Sequence, residues 1–87
     1  MKLLKVGRST SCDIVLNSEN VSSLHAEIMV LDSGEILVTD KNSANGTIIG
    51  GKPIKANVEV PVRRGDLVQF ADMELPWARV PQPDSLL

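Results

Sequence analysis

The chain has 87 residues, enough for one domain; a chain this short buries only about 60 per cent of its unfolded surface, so its core must be small. Hydrophobic residues make up 43% and charged residues 23%, an ordinary globular composition. Nine Lys and Arg against eleven Asp and Glu, with one Trp, one Phe and no Tyr, supply neither the basic surplus nor the stacking rings of a nucleic-acid binder.

In chain order, Leu4, Val6 and Arg8 fall on one face of a first extended run. Ile14 and Leu16 mark a second. Ala26, Ile28 and Val30 alternate with Glu27, Met29 and Leu31 in a third, and Ile36 and Val38 follow the turn Asp32-Ser33-Gly34. Leu24, Ile28 and Leu31 also fit helical spacing with Ser22 as N-cap, but the β-branched neighbours favour a strand. Ile48 and Ile49 lie between two turn signals, Asn45-Gly46 and Gly50-Gly51. Val58, Val60 and Val62 alternate with Asn57, Glu59 and Pro61, and the proline predicts an edge strand or a bulge. Val68 and Phe70 follow Arg64-Gly65-Asp66, and a last run holds Leu75, Trp77 and Arg79. Turn signals recur every 8–12 residues or so, the spacing of an all-β sandwich or barrel. Residues 81–87 read as a flexible tail, leaving 1–80 as the domain.

Cys12 is the only cysteine and His25 the only histidine, too few ligands for a zinc site and no basis for an internal disulfide. A lone thiol favours a reducing, cytoplasmic setting. No segment approaches the ~20 apolar residues of a membrane span, and Met1 to Val6 is too short for a signal peptide. Neither a metal nor a cofactor is expected, and neither membrane nor nucleic acid as a partner.

Three clusters carry groups capable of chemistry. In Val6-Gly7-Arg8-Ser9-Thr10-Ser11, a guanidinium at a strand end with hydroxyls behind it suits a tetrahedral anion, because its donor fork pairs with two oxygens at once. Taken alone, the same cluster is better read as a solvated arginine beside a polar turn. In Asn20-Val21-Ser22-Ser23-Leu24-His25, Ser22 can donate to an anion, and His25 can bond a backbone carbonyl and hold the loop. A Ser near a His also invites a hydrolase reading, but no nucleophile elbow or orienting acid accompanies it. In Lys41-Asn42-Ser43-Ala44-Asn45-Gly46, Asn45 either closes an Asx or type I′ turn or offers one amide that reads a peptide main chain from both sides.

Together these clusters form an ordered pattern. A strand ending in Gly7-Arg8, then Ser22-x-x-His25, then Ser43-x-Asn45-Gly46-Thr47, resembles the forkhead-associated (FHA) domain family. The likeness continues through Ile48-Ile49-Gly50-Gly51-Lys52 and Arg64-Gly65-Asp66 and covers about residues 4 to 80. The resemblance implies a twisted β-sandwich of two mostly antiparallel sheets, FHA/SMAD-like, with loops at one end that bind a phosphothreonine-containing protein or peptide. It implies an interaction module rather than an enzyme; the sequence leaves the oligomeric state open, with a monomer expected. By position, Arg8 contacts the phosphate, Ser22 and Ser23 bond it, and Asn45 bonds the peptide backbone. Gly7, His25, Ser43 and Gly46 shape the loops. Ser23 replaces a residue that is often basic in the family, and Ala44 one that is often polar, so modest affinity is expected; Lys41 is a candidate for compensating charge. The alternative is an FHA-like scaffold that docks partners without phosphate.

Overall fold

The computed structural model describes residues 1–83. Nine strands follow one another: β1 (Lys2–Gly7), β2 (Ile14–Val15), β3 (Ala26–Val30), β4 (Ile36–Asp40), β5 (Thr47–Ile49), β6 (Lys52–Pro53), β7 (Glu59–Val62), β8 (Val68–Phe70) and β9 (Met73–Glu74). They form two sheets, one in the order β2-β1-β3-β4-β7 and the other β6-β5-β8-β9. Every pairing is antiparallel except β1 with β2. The expected twisted sandwich of two mostly antiparallel sheets is the fold observed.

Alternation places the core. In β3 and β4 every second residue is buried: Ala26, Ile28 and Val30, then Ile36, Val38 and Asp40. The register sets Ile28 opposite Val38 and Val30 opposite Ile36, so the apolar faces coincide. Phe70 and Val68 close the core from the second sheet, with Ile14, Leu16 and Val21 filling one end. At about 0.8 kcal/mol per buried CH₂, these aliphatic side chains supply most of the driving force. The window that also fitted a helix is strand β3, because only the extended form buries Ala26, Ile28 and Val30 together.

Pro61 lies on β7, an edge of its sheet, where a missing N–H is tolerated. The strand itself is shorter than the valine alternation suggests. It starts at Glu59, because Asn57 has a positive φ of 62° and Val58 remains 48% exposed.

Two further local details differ from the sequence reading. The two-residue hairpin with positive φ at both central positions is Gly50-Gly51 (58° and 83°), joining β5 to β6. Asn45-Gly46 closes no hairpin: it lies where the chain passes from β4 in one sheet to β5 in the other, and only Gly46 has positive φ. The run Leu75, Trp77, Arg79 is not a strand. Pro76 has no N–H for a ladder, and Trp77–Arg79 form a 3₁₀ turn that is pinned by Trp77 Nε1 donating to the Asp66 carbonyl at 2.8 Å. Arg64 spans the chain end, its fork donating to the carbonyls of Val80 (2.8 Å) and Pro81 (2.9 Å). Of the tail expected over 81–87, residues 84–87 lie outside the described residues; Pro83 is buried.

Candidate functional site

The end of β1, the loop Ser18–His25 and the loop Lys41–Gly46 come together at one end of the sandwich. Gly7 permits the closest approach. A Cβ there would lie 2.2 Å from the Ser23 carbonyl oxygen and 2.9 Å from that of Ser22. With only a hydrogen at that position, the backbones zip: Arg8 N–H donates to Ser22 O at 3.0 Å and Ser9 N–H to Ser23 O at 3.2 Å. This fixes the root of Arg8 against Ser22 and Ser23. The Arg8 side chain is exposed and meets no acceptor among the described residues.

His25 is fully buried and organises the loops from beneath. Its Nδ1 accepts the Ser22 amide N–H (3.1 Å), so the ring proton is on Nε2, which donates to the Gly46 carbonyl (2.9 Å). One neutral imidazole thus joins the Ser22 loop to the Asn45 loop. The edge of the ring packs on Phe70, centroids 5.7 Å apart at 78°. Because both nitrogens are occupied by main chain, the ring is not a base for the Ser22 hydroxyl.

Below His25 is a buried carboxylate. Asp40 occupies the inward register of β4, where Ile36 and Val38 precede it, and is 4% exposed. Its Oδ1 accepts Ser43 Oγ and Thr47 Oγ1, both at 2.6 Å, and Oδ2 accepts the Ser43 amide (3.0 Å). Burial by itself would raise its pKa. The Ser43 hydroxyl, the Thr47 hydroxyl and the Ser43 amide outweigh burial and hold it below the usual carboxylate value. Ser43 Oγ also accepts the Gly46 amide (3.0 Å), closing the Asn45 loop on itself.

Ser22 and Asn45 rest on this base with capacity to spare. Ser22 Oγ accepts the Ala44 amide (3.0 Å), which leaves its O–H as an unused donor. Asn45 Nδ2 donates to the Asn20 carbonyl (2.7 Å), which fixes the amide and leaves Oδ1 and a second N–H. The Ser23 carbonyl also accepts Cys12 Sγ–H (3.3 Å). Burial, then Asp13, raises the Cys12 pKa, which keeps it a thiol and a donor. Lys41 is 3.7 Å from Glu27, so part of its charge is already countered.

The structure therefore brings Gly7, Arg8, Ser22, Ser23, His25, Ser43, Asn45 and Gly46 to one end. The sequence reading assigned no site role to Asp40, Thr47 or Cys12. Asp40 carried a signal, a charged residue on the apolar face of an alternating strand, and Thr47 stood in the Ser43-x-Asn45-Gly46-Thr47 pattern; Cys12 carried none. No three His, Cys, Asp or Glu side chains gather as a metal site among the described residues, and no described helix is long and apolar enough to cross a membrane.

A small β-sandwich with a polar recognition end built from three tethered loops is the class of protein that these features define. The FHA domain model matches residues 4–71, and the chain belongs to the FHA domain family. It is 36% identical over 78 residues to the glycogen accumulation regulator GarA of Mycolicibacterium smegmatis, covering 90% of this chain and 47% of GarA. It is similar to Mycobacterium tuberculosis EmbR, solved with a low-affinity phosphopeptide, with TM-score 0.73, 32% identity, and 83% of this chain and 18% of that one covered. It is also similar to the N-terminal FHA domain of Rad53p from S. cerevisiae, solved with a phosphothreonine peptide (TM-score 0.70, 31% identity, 77% and 54% covered). The chain spans less than half the length of the curated relatives that it matches.

Proposed function

We propose that this domain is a protein–protein interaction module that binds phosphothreonine-containing segments through Arg8, Ser22, Ser23 and Asn45, and that it works in the cytoplasm without cofactor or catalysis. One observation carries the reading. Ser22 and Asn45 are each locked by one hydrogen bond that leaves a free donor, and the backbone of Arg8, whose side chain is exposed, is bonded to the Ser22 carbonyl. A phosphate presents nearly two negative charges and three strong acceptors. Hydrogen bonds to a charged group contribute about 1.5–3 kcal/mol each, so two or three offset ordering costs and give micromolar affinity. Arg8 supplies the charge, Ser22 and Ser23 the hydroxyl donors. The fixed Asn45 amide reads the adjoining peptide main chain, donating and accepting at once. The Ala44 amide is already spent on Ser22, and Ala44 has no side-chain donor, which supports modest affinity. The phosphopeptides bound to EmbR and Rad53p support the ligand class. Against a hydrolase built on Ser22 stands His25, both of whose ring nitrogens are committed to main chain and so cannot serve as its base.

The test is titration of one threonine peptide in phosphorylated and unphosphorylated forms, followed by fluorescence anisotropy. Wild-type protein is expected to prefer the phosphorylated form by at least about tenfold, a difference of about 1.4 kcal/mol, and Arg8→Ala to erase that preference. Equal binding of the two forms would refute the reading. A protein partner held unchanged by Arg8→Ala would instead favour the phosphate-independent scaffold.

A further inference from the structure

We propose that the two-residue turn Ala71-Asp72, joining β8 to β9 in the second sheet, is a positioning element that holds Asn45 from two sides. This inference rests on the binding role given to Asn45 above.

Asp72 is exposed, yet its carboxylate is committed to two donors more than 50 residues away in sequence. Ser18 Oγ donates to Oδ1 at 2.8 Å and Asn20 Nδ2 to Oδ2 at 3.2 Å. Ser18 Oγ in turn accepts the Asn20 amide (3.2 Å), so Ser18, Asn20 and Asp72 close a ring of three bonds. The carbonyl of the Asn20 held in this ring is the one that receives Asn45 Nδ2. From the other side, the Ala71 amide donates to the Gly46 carbonyl at 3.0 Å, the same oxygen that takes His25 Nε2–H. One turn therefore braces the acceptor of the Asn45 side chain and the main chain directly after Asn45.

The turn itself is strained. Phe70 pairs with Met73, and Ala71, at the first central position, has φ of 56°, where glycine is the ordinary residue. Strain of this kind persists where the surroundings over-determine it, and it concentrates at binding sites. Here the two partners that determine it, Gly46 and the Ser18–Asn20 ring, belong to the binding loops. A freely rotating Asn45 amide would have to be ordered by the peptide itself; the brace removes that cost in advance.

The experiment is a double-mutant cycle on peptide affinity, with melting curves establishing that each variant is folded at the assay temperature. Asp72→Ala is expected to weaken phosphopeptide binding by about three- to tenfold. It should add nothing in an Asn45→Ala background. It should multiply in full with Arg8→Ala, which acts on the phosphate. The exchange N20D/D72N keeps a side-chain bond between the same positions and should recover wild-type affinity within about twofold. In the unliganded protein, the Asn45 side-chain amide resonances should shift and broaden in Asp72→Ala. Wild-type affinity in Asp72→Ala, or a full additional loss on top of Asn45→Ala, overturns the proposal. So do Asn45 resonances that stay unchanged, a result that needs no ligand. Wild-type protein that treats both peptide forms alike sinks the phosphothreonine reading instead, and the spectra still decide on the brace.

Discussion

Substituting Gly7 by alanine tests whether the recognition end depends on two backbones meeting without a side chain between them. The added Cβ would stand 2.2 Å from the Ser23 carbonyl oxygen, 2.8 Å from its carbon and 2.9 Å from Ser22 O. Even to reach 3.0 Å, below which real Cβ contacts essentially do not occur, the Ser22-Ser23 segment must retreat by about 0.8 Å. The atoms in the way are main chain, so no rotamer change relieves the clash. The same movement stretches the Arg8 N–H to Ser22 O and Ser9 N–H to Ser23 O bonds past useful length. Two lost bonds cost about 0.5–1.5 kcal/mol each and overpacking about 1–3 kcal/mol, so Gly7→Ala should destabilise the fold by about 2–6 kcal/mol. That is a large share of the roughly 4–13 kcal/mol available to a domain of this size. Urea denaturation reads the stability change, and anisotropy under native conditions should show at least about a tenfold loss of phosphopeptide affinity. Gly34→Ala is the control. It has an open surrounding and a positive φ of 96°, far from the recognition end, so it should lower stability without touching affinity. Gly7→Ala protein with both properties unchanged would refute the reasoning.

Two further predictions follow from the buried carboxylate and the chain end. The Asp40 pKa is held below its usual value, so its contribution to stability is complete at neutral pH and fades as pH falls below about 4. Thr47→Val removes one of its donors at constant volume. It should cost about 1.5–3 kcal/mol at pH 7 and, by letting the Asp40 pKa rise back toward its ordinary value, shrink the loss of stability on acidification, measured as urea midpoints across pH. Arg64→Ala frees the Val80 and Pro81 carbonyls and uncovers Trp77, 5.7 Å from the guanidinium. It should shift Trp77 emission to the red and lower stability by about 1 kcal/mol, with Arg64→Lys recovering only part because an ammonium cannot fork.

Much of the fold was legible because the two central strands alternate cleanly: Ile28 and Val38 announce the core, and Pro61 announces an edge. What misled was turn chemistry. Asn45-Gly46 carries the strongest hairpin signal in the chain, yet the segment crosses between layers, because Asp40, Ser43 and Thr47 tie it down and close it on itself. The loop motifs pointed to the residues that gather at one end, since each sits beside a strand terminus. The supports under them were harder to read. Asp40 betrays itself by its inward register, whereas Asp72 reaches Ser18 and Asn20 across more than 50 residues, a distance over which single-sequence patterns carry nothing.

The outer strands of the two sheets bear on how the domain handles a ligand. Three of them, β2, β6 and β9, are only two residues long, and β6 and β7 each contain a proline, Pro53 and Pro61. None offers an uninterrupted template along which an incoming extended segment could zip as an extra strand. Phosphorylation sites commonly lie in just such unfolded segments. A domain with blunted flanks can meet them at high local concentration without being fouled by indiscriminate main-chain pairing, and its choice of sequence is left to the loops.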